Sequence, residues 1–263
     1  MKHNMKITIV LVLMFIATQL IGLTIVDTYG DKELPLGIER PEVQENISYL
    51  PLIFAILIAT GLALILVKFG AMKLWKAWFF VASLYLLTLS LGGFFEANIA
   101  FIIATGFILL RTFRLSIISH NIVELFVYAG IPVIFASVLN ILSASILLIF
   151  ISIYDAIAVW KTKHMIALAK FTTQSKVFAG LMIPYDKGRK AAILGGGDIG
   201  FPLLFSSVIL LNNSFQHAII TTIVTAIALL LLLTFSKKNK FYPAMPFISA
   251  GCFIGYFLSL LII

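Results

Sequence analysis

Nine apolar runs, most of them close to 20 residues long, recur along this chain of 263 residues. A helix of that length spans a hydrocarbon core of about 30 Å, so the runs constrain the fold more than any single motif does. They lie at about 7–26, 49–67, 77–94, 97–112, 121–138, 140–160, 192–211, 215–235 and 243–263, and the fourth is the shortest. Composition agrees: 61% of the residues are hydrophobic, 11% are charged, and the mean hydropathy is +1.10. The expected fold is an all-α, multi-pass membrane protein of nine transmembrane helices.

The basic residues orient it. If the N-terminus is cytoplasmic, the inner segments carry Lys2, Lys6, Lys68, Lys73, Lys76, Arg111, Arg114, Lys161, Lys163, Lys170, Lys176, Lys187, Arg189, Lys190, Lys237, Lys238 and Lys240, which is 17 of the 19 Lys and Arg. Only Lys32 and Arg40 fall outside, in a loop at 27–48 that also holds six carboxylates. Basic residues concentrate on the cytoplasmic side, so the expectation is N-in and C-out, which needs an odd number of spans. The net charge of +8 is then explained by cytoplasmic loops, and nucleic acid is not an expected partner. The basic start "MKHNMK" resembles the n-region of a signal peptide, but the apolar stretch after it is long and lacks a small-x-small site, so a retained helix is expected.

We expect one membrane domain over 1–263: six helices in 1–160, a cytoplasmic loop at 161–191, and three helices in 192–263. The loop contains an apolar patch, "VFAGLMIP" at 177–184. It reads as an interfacial amphipathic segment or, alternatively, as a short strand that becomes ordered beside a substrate.

Several chemistries are disfavoured. The lone Cys252 lies in an apolar run, the four histidines are scattered, and neither HExxH nor a GxSG-type serine motif is present. No metal or cofactor is expected. Carboxylates remain. Of eleven, three fall within apolar spans: Glu124, Asp155 and Asp198. Glu124 follows Asn121 by three residues, which reads as a capping box at the start of the fifth helix. Asp155 lies six residues before Lys161, roughly 9 Å inside the inner boundary, and Asp198 lies eight residues after Lys190, about 12 Å from the same face if helical. A charge at the centre of a membrane helix costs about 2.5–3.5 kcal/mol on insertion scales, so two at matched depth on consecutive antiparallel spans mark a site more readily than a structural pair. Two carboxyls brought together share one proton, which leaves one an acid and the other a base. That serves water-mediated peptide hydrolysis, and it serves proton-coupled transport equally well.

Gly195, Gly196 and Gly197 precede Asp198. A membrane helix hides its carbonyls in its own hydrogen bonds, so cutting one requires an unwound backbone and close approach, which glycines permit. Gly196 with Gly200, and Gly251 with Gly255, also form GxxxG helix-packing patterns. "FYPAMPF" at 241–247 opens the last span on the same inner side, and its prolines exclude an ordinary helix throughout.

Tyr154-Asp155 in the sixth span, Gly195-Gly196-Gly197-Asp198 in the seventh and Pro243-Ala244-Met245 at the ninth together resemble the YD, GxGD and PAL signature of the presenilin and signal peptide peptidase family of intramembrane aspartyl proteases. The likeness covers the nine-span layout and the order of the motifs, and looks like that of a prokaryotic, archaeal-type member. Two departures stand out: Gly196 occupies a position where family members usually carry a larger apolar residue, and Met245 replaces leucine. The resemblance implies that Asp155 and Asp198 are the catalytic pair, and that Tyr154, Gly195, Gly196, Gly197, Pro243, Ala244 and Met245 support the site or bind substrate. It also implies that transmembrane helices of other proteins, met within the lipid bilayer, are the substrates. Presenilin is N-in and accepts spans with an outer N-terminus, whereas signal peptide peptidase is inverted in both respects. The rival expectations are a transporter or ion-leak channel using the same acids, a prepilin-type peptidase, and an inactive scaffold. The prepilin type generally has fewer spans and a basic residue soon after its aspartate, whereas Ile-Gly-Phe-Pro follows Asp198 here.

Overall fold

The computed structural model of the protein describes residues 4–30, 32–41, 47–113, 116–162, 168, 171, 178–185, 190–236 and 242–263. Most of the loop at 161–191, including Asp186, and the basic cluster Lys237, Lys238 and Lys240 lie outside them.

Among the described residues, nine helical spans follow the apolar runs. They are α1 (Met5–Tyr29), α2 (Tyr49–Lys68), α3 (Met72–Gly92), α4 (Ala97–Phe113), α5 (Ile117–Val138), α6 (Ile141–Trp160), α7 (Gly196–Asn212), α8 (Phe215–Phe235) and α9 (Met245–Ile262). Seven are long and apolar enough to cross a membrane on their own, while α4 and α7 are apolar but shorter. Local chemistry fixes several ends. Asn4 accepts a bond from the Lys6 N–H to cap α1, and Asn140 accepts one from the Ser143 N–H to cap α6.

α5 is broken. It is helical over Ile117–Val127 and Gly130–Phe135 and closes in a 3₁₀ turn at Ala136–Val138. Pro132 has no N–H to offer the Tyr128 carbonyl four residues earlier, and that carbonyl takes the Ile131 N–H instead, at 3.3 Å. The break lets the start of the second piece lie directly against α3, where Gly130 touches the backbone of Leu86 with no room for a side chain.

α7 is the axis of the bundle. Ile199, Gly200 and every residue from Pro202 to Leu210 are buried in it. α1 packs along it through Gly22, which admits the side chain of Leu203. α8 and α9 pair through Gly251 and Gly255, which sit on Thr225 and Thr221 of α8, so this GxxxG serves close helix packing. α2 contributes no buried residue and presents Phe54, Ile58, Leu62 and Ile65 outward, as a lipid-facing helix does.

The expected all-α fold needs one correction. Two strands, β1 (Gly180–Tyr185) and β2 (Lys190–Gly195), form an antiparallel hairpin in register Gly180↔Gly195 through Tyr185↔Lys190. The patch at 177–184, as far as it is described, is therefore mainly strand. The hairpin shortens the seventh helix, expected from 192 but beginning at Gly196, because 190–195 are committed to strand pairing. Pro184 falls opposite Ala191, between the hydrogen-bonded pairs, where a missing N–H costs nothing. The ninth helix likewise begins at Met245 and not at 243.

Candidate active site

The carboxylates of both intramembrane aspartates reach helix N-termini, where backbone N–H groups lack intrahelical partners and favour negative charge. Asp155, on the buried face of α6, reaches the start of α9: its Oδ2 accepts the Met245 N–H at 3.1 Å. Asp198 lies in the first turn of α7, three residues past the N-cap Gly195, whose backbone N–H bonds back to its carboxylate. The two carboxylates are within electrostatic range of each other. α6, α7 and α9 thus converge at one place, and a bond from Ser152 Oγ to Ser249 Oγ at 2.8 Å ties α6 to α9 one turn away.

The hairpin delivers Asp198. Gly195 ends β2, and Gly196, the first residue of α7, still donates to the Ala179 carbonyl at 3.1 Å. Strand therefore passes into helix without a loop. Pro202 lacks the N–H that would otherwise close on the Asp198 carbonyl, and the next carbonyl, of Ile199, is bonded by the Gln19 amide of α1 at 3.0 Å. Gln19 is fully buried and was not a sequence candidate, although a glutamine inside an apolar span is a signal in itself.

The remaining expected residues fall as follows. Tyr154 is half-buried, with its ring stacked on Phe150 at 6.3 Å between centroids. Gly197 is exposed, at the start of the helix. Gly196 packs against Tyr128 of α5, and a Cβ there would lie 2.9 Å and 3.0 Å from two of its ring carbons. The room that a larger side chain would take is thus already filled from α5. Pro243 is buried ahead of the N-cap Ala244, and Met245 is buried as the first helical residue. Pro246, not Pro243, is the first-turn proline of α9.

This division predicts unequal effects. Pro243→Ala should lower kcat/KM by about tenfold, because the chain ahead of α9 aims the Met245 N–H at Asp155. Pro246→Ala should stay within about twofold, since a first-turn N–H needs no partner. Kinetics on the two purified variants check this, and an unchanged rate in both removes Pro243-Ala244-Met245 from the site.

The capping-box expectation for Asn121 and Glu124 is wrong. The helix starts at Ile117 with Ser116 as N-cap, so both residues are interior. Glu124 is paired with Arg111 of α4 at 2.9 Å, and both it and Asn121 reach β1. Among the described residues no cluster of three or more His, Cys, Asp or Glu side chains could hold a metal ion.

A helical membrane bundle with two carboxylates held at converging helix ends is the framework of an aspartic protease working inside the bilayer. Residues 11–263 match the family described as signal-peptide peptidase, presenilin aspartyl protease, and the chain belongs to that family. Its fold is similar to that of a presenilin family intramembrane aspartate protease solved in two crystal forms. For the C222 form the TM-score is 0.68 at 22% identity, covering 97% of this chain and 99% of the other. For the P2 form the values are 0.68 and 22%, covering 96% and 97%. No curated protein sequence matches the chain significantly. The protein is therefore an integral, multi-pass membrane protein whose activity is intramembrane proteolysis of membrane-protein substrates. The transporter or ion-leak alternative is left without support.

Proposed function

We propose that Asp155 and Asp198 form the catalytic dyad of a GxGD-type intramembrane endopeptidase. The observation that carries this is their placement: each carboxylate accepts a backbone N–H at a helix start, Asp155 from Met245 and Asp198 from Gly195, within reach of each other's charge. One carboxylate removes a proton from water as the water attacks the scissile carbonyl carbon. The other, protonated, donates to the carbonyl oxygen. The resulting gem-diol collapses, the C–N bond breaks, and the leaving nitrogen takes up a proton from the pair. No metal or cofactor enters these steps.

The substrate is a transmembrane helix that must first unwind, because a helical carbonyl is already bonded within its own segment. The hairpin offers a place for the unwound strand. The outward edge of β1 is occupied by α5. The outward edge of β2, at Ala191 and Ile193, receives no backbone bond among the described residues and leads directly to Gly195 and Asp198. A strand added there gains main-chain bonds and brings its carbonyls toward the dyad. Gly195 and Gly197 keep this approach open, Pro243, Ala244 and Met245 brace Asp155, and Tyr154 lines the site on α6.

We read the whole of 1–263 as one membrane domain of a prokaryotic cell membrane, N-terminus inside and C-terminus outside, with 161–191 cytoplasmic. The Lys and Arg distribution supports that orientation. In it both aspartates lie in the inner half of the bilayer. Substrates should therefore run N-out to C-in and be cut nearer their cytoplasmic end, and helix-weakening residues there should accelerate cleavage. The experiment fuses one transmembrane segment in both orientations and maps the products by mass spectrometry. Preference for N-in substrates, or cuts clustered near the outer face, would overturn the orientation.

A further inference from the structure

A polar cluster on α5 stands apart from the reaction and costs the protein a buried ion pair. Arg111 and Glu124, at 9% and 1% side-chain exposure, pair at 2.9 Å, and Arg111 also lies 4.4 Å from the centroid of the Phe79 ring. Apolar residues would pack two membrane helices together without that desolvation cost. What the cluster has beyond packing is a direction: His120, Asn121 and Glu124 all bond the backbone of β1. Glu124 Oε2 accepts the Gly180 N–H at 3.2 Å, and His120 Nε2 stands 3.0 Å from the Gly180 carbonyl, where it serves as donor. Asn121 donates Nδ2 to the Met182 carbonyl at 2.8 Å and accepts the Met182 N–H on Oδ1 at 3.0 Å.

These four bonds take up the N–H and C=O of Gly180 and Met182, two of the three β1 residues whose backbones face away from β2, as a neighbouring strand would. A helix face thus stands in for a third strand. The register makes this matter, because Gly180 lies opposite Gly195, the first residue of the Gly-Gly-Gly-Asp run. Gly180 has φ +146°, and a side chain there would strike the Leu194 carbonyl and the Phe178 ring, so the position depends on glycine. Holding both polar groups of Gly180 fixes the strand pair at the point where it hands over to the α7 turn bearing Asp198.

We infer that His120, Asn121 and Glu124, the last held by Arg111, are positioning residues that set the hairpin against Asp198 and thereby select which peptide bond is cut. The inference rests on the dyad proposed above. It predicts that loosening β1 changes the chemical step and the cut position, since misplacement of about 1 Å is enough to cost large factors in rate.

Asn121→Leu, nearly the same size, removes both bonds to Met182. Asn121→Asp keeps the acceptor for the Met182 N–H and sets a carboxyl oxygen, in place of the amide donor, against the Met182 carbonyl. Both are made in the full chain, purified, and assayed on a single-span peptide for kcat, KM, cut positions and thermal midpoint. The expected result is a fall in kcat of about tenfold for Asn121→Leu with KM within about threefold, and cleavage spread to neighbouring bonds. Asn121→Asp should fall between it and the parent, and it carries the test alone if the leucine variant does not fold. Unmoved kcat and cut sites per folded enzyme, or a loss confined to KM, yield or thermal midpoint, overturns the inference. Asp198→Asn is run alongside. If it still cleaves, the dyad reading fails whatever Asn121 does. If it is inactive while both Asn121 variants match the parent, only the positioning role fails.

Discussion

Asp155→Asn and Asp198→Asn should each reduce cleavage by about 10³-fold or more, because each removes one half of the proposed acid and base pair and leaves an amide that can do neither job. The fold should survive both changes. An asparagine oxygen at 155 can still accept the Met245 N–H, and one at 198 can still accept the bond from Gly195. The comparison therefore separates chemistry from structure: helicity by circular dichroism and elution as a single species should match the parent, while product from a single-span peptide, quantified by mass spectrometry, disappears. Cleavage by either pure variant at even a tenth of the parent rate would be incompatible with two carboxylates sharing the work.

The spans were legible because a lipid solvent imposes one simple requirement, a long apolar segment, and α1 through α9 follow the runs closely. Irregularities that depend on partners elsewhere in the chain were not. The break in α5 turns on Pro132, which was visible, but whether a proline kinks a helix or ends it depends on what packs at the gap, here Leu86 against Gly130. A strand at 177–184 was one of two readings, but its partner escaped because "KAAILG" is apolar and extends an apolar run, so periodicity assigned it to the seventh helix. Its pairing with 180–185, a strand that α5 bonds on the other edge, holds it as strand. Asn121 and Glu124 show the same limit from the other side. Their three-residue spacing matches a capping box, but Ser116 sets the helix start upstream, and their partners Gly180 and Met182 are some 60 residues away in sequence. A better signal was available: Arg111 and Glu124 are two opposite charges at the adjoining ends of consecutive spans, and ionisable groups in membranes rarely stand alone. The family likeness was legible because it rests on the order of several short motifs, and the family match over 11–263 agrees with it.

The glycine at 196 should be second only to the aspartates in its demands. Gly196→Leu should lower kcat/KM by about a hundredfold, although a larger apolar residue is the common choice at this place in the family pattern. The cause is Tyr128. Its ring, 5% exposed, presses on the first turn of α7, and any Cβ at 196 meets it. Overpacking a site of this kind costs about 1–3 kcal/mol when the neighbours can yield, and here the yielding element is the turn that carries Asp198 two residues later. If the tyrosine takes the volume that a side chain at 196 would otherwise fill, the defect is reciprocal. Tyr128→Ala alone should leave a cavity and a looser α7 start, with a moderate loss of activity. Combined with Gly196→Leu, it should recover activity to within about tenfold of the parent, because the leucine refills the space. Kinetics on the two single variants and the double variant form a complete cycle. Additive losses would mean that Tyr128 and Gly196 act separately, and that the glycine is required for approach of the substrate strand and not for packing against α5.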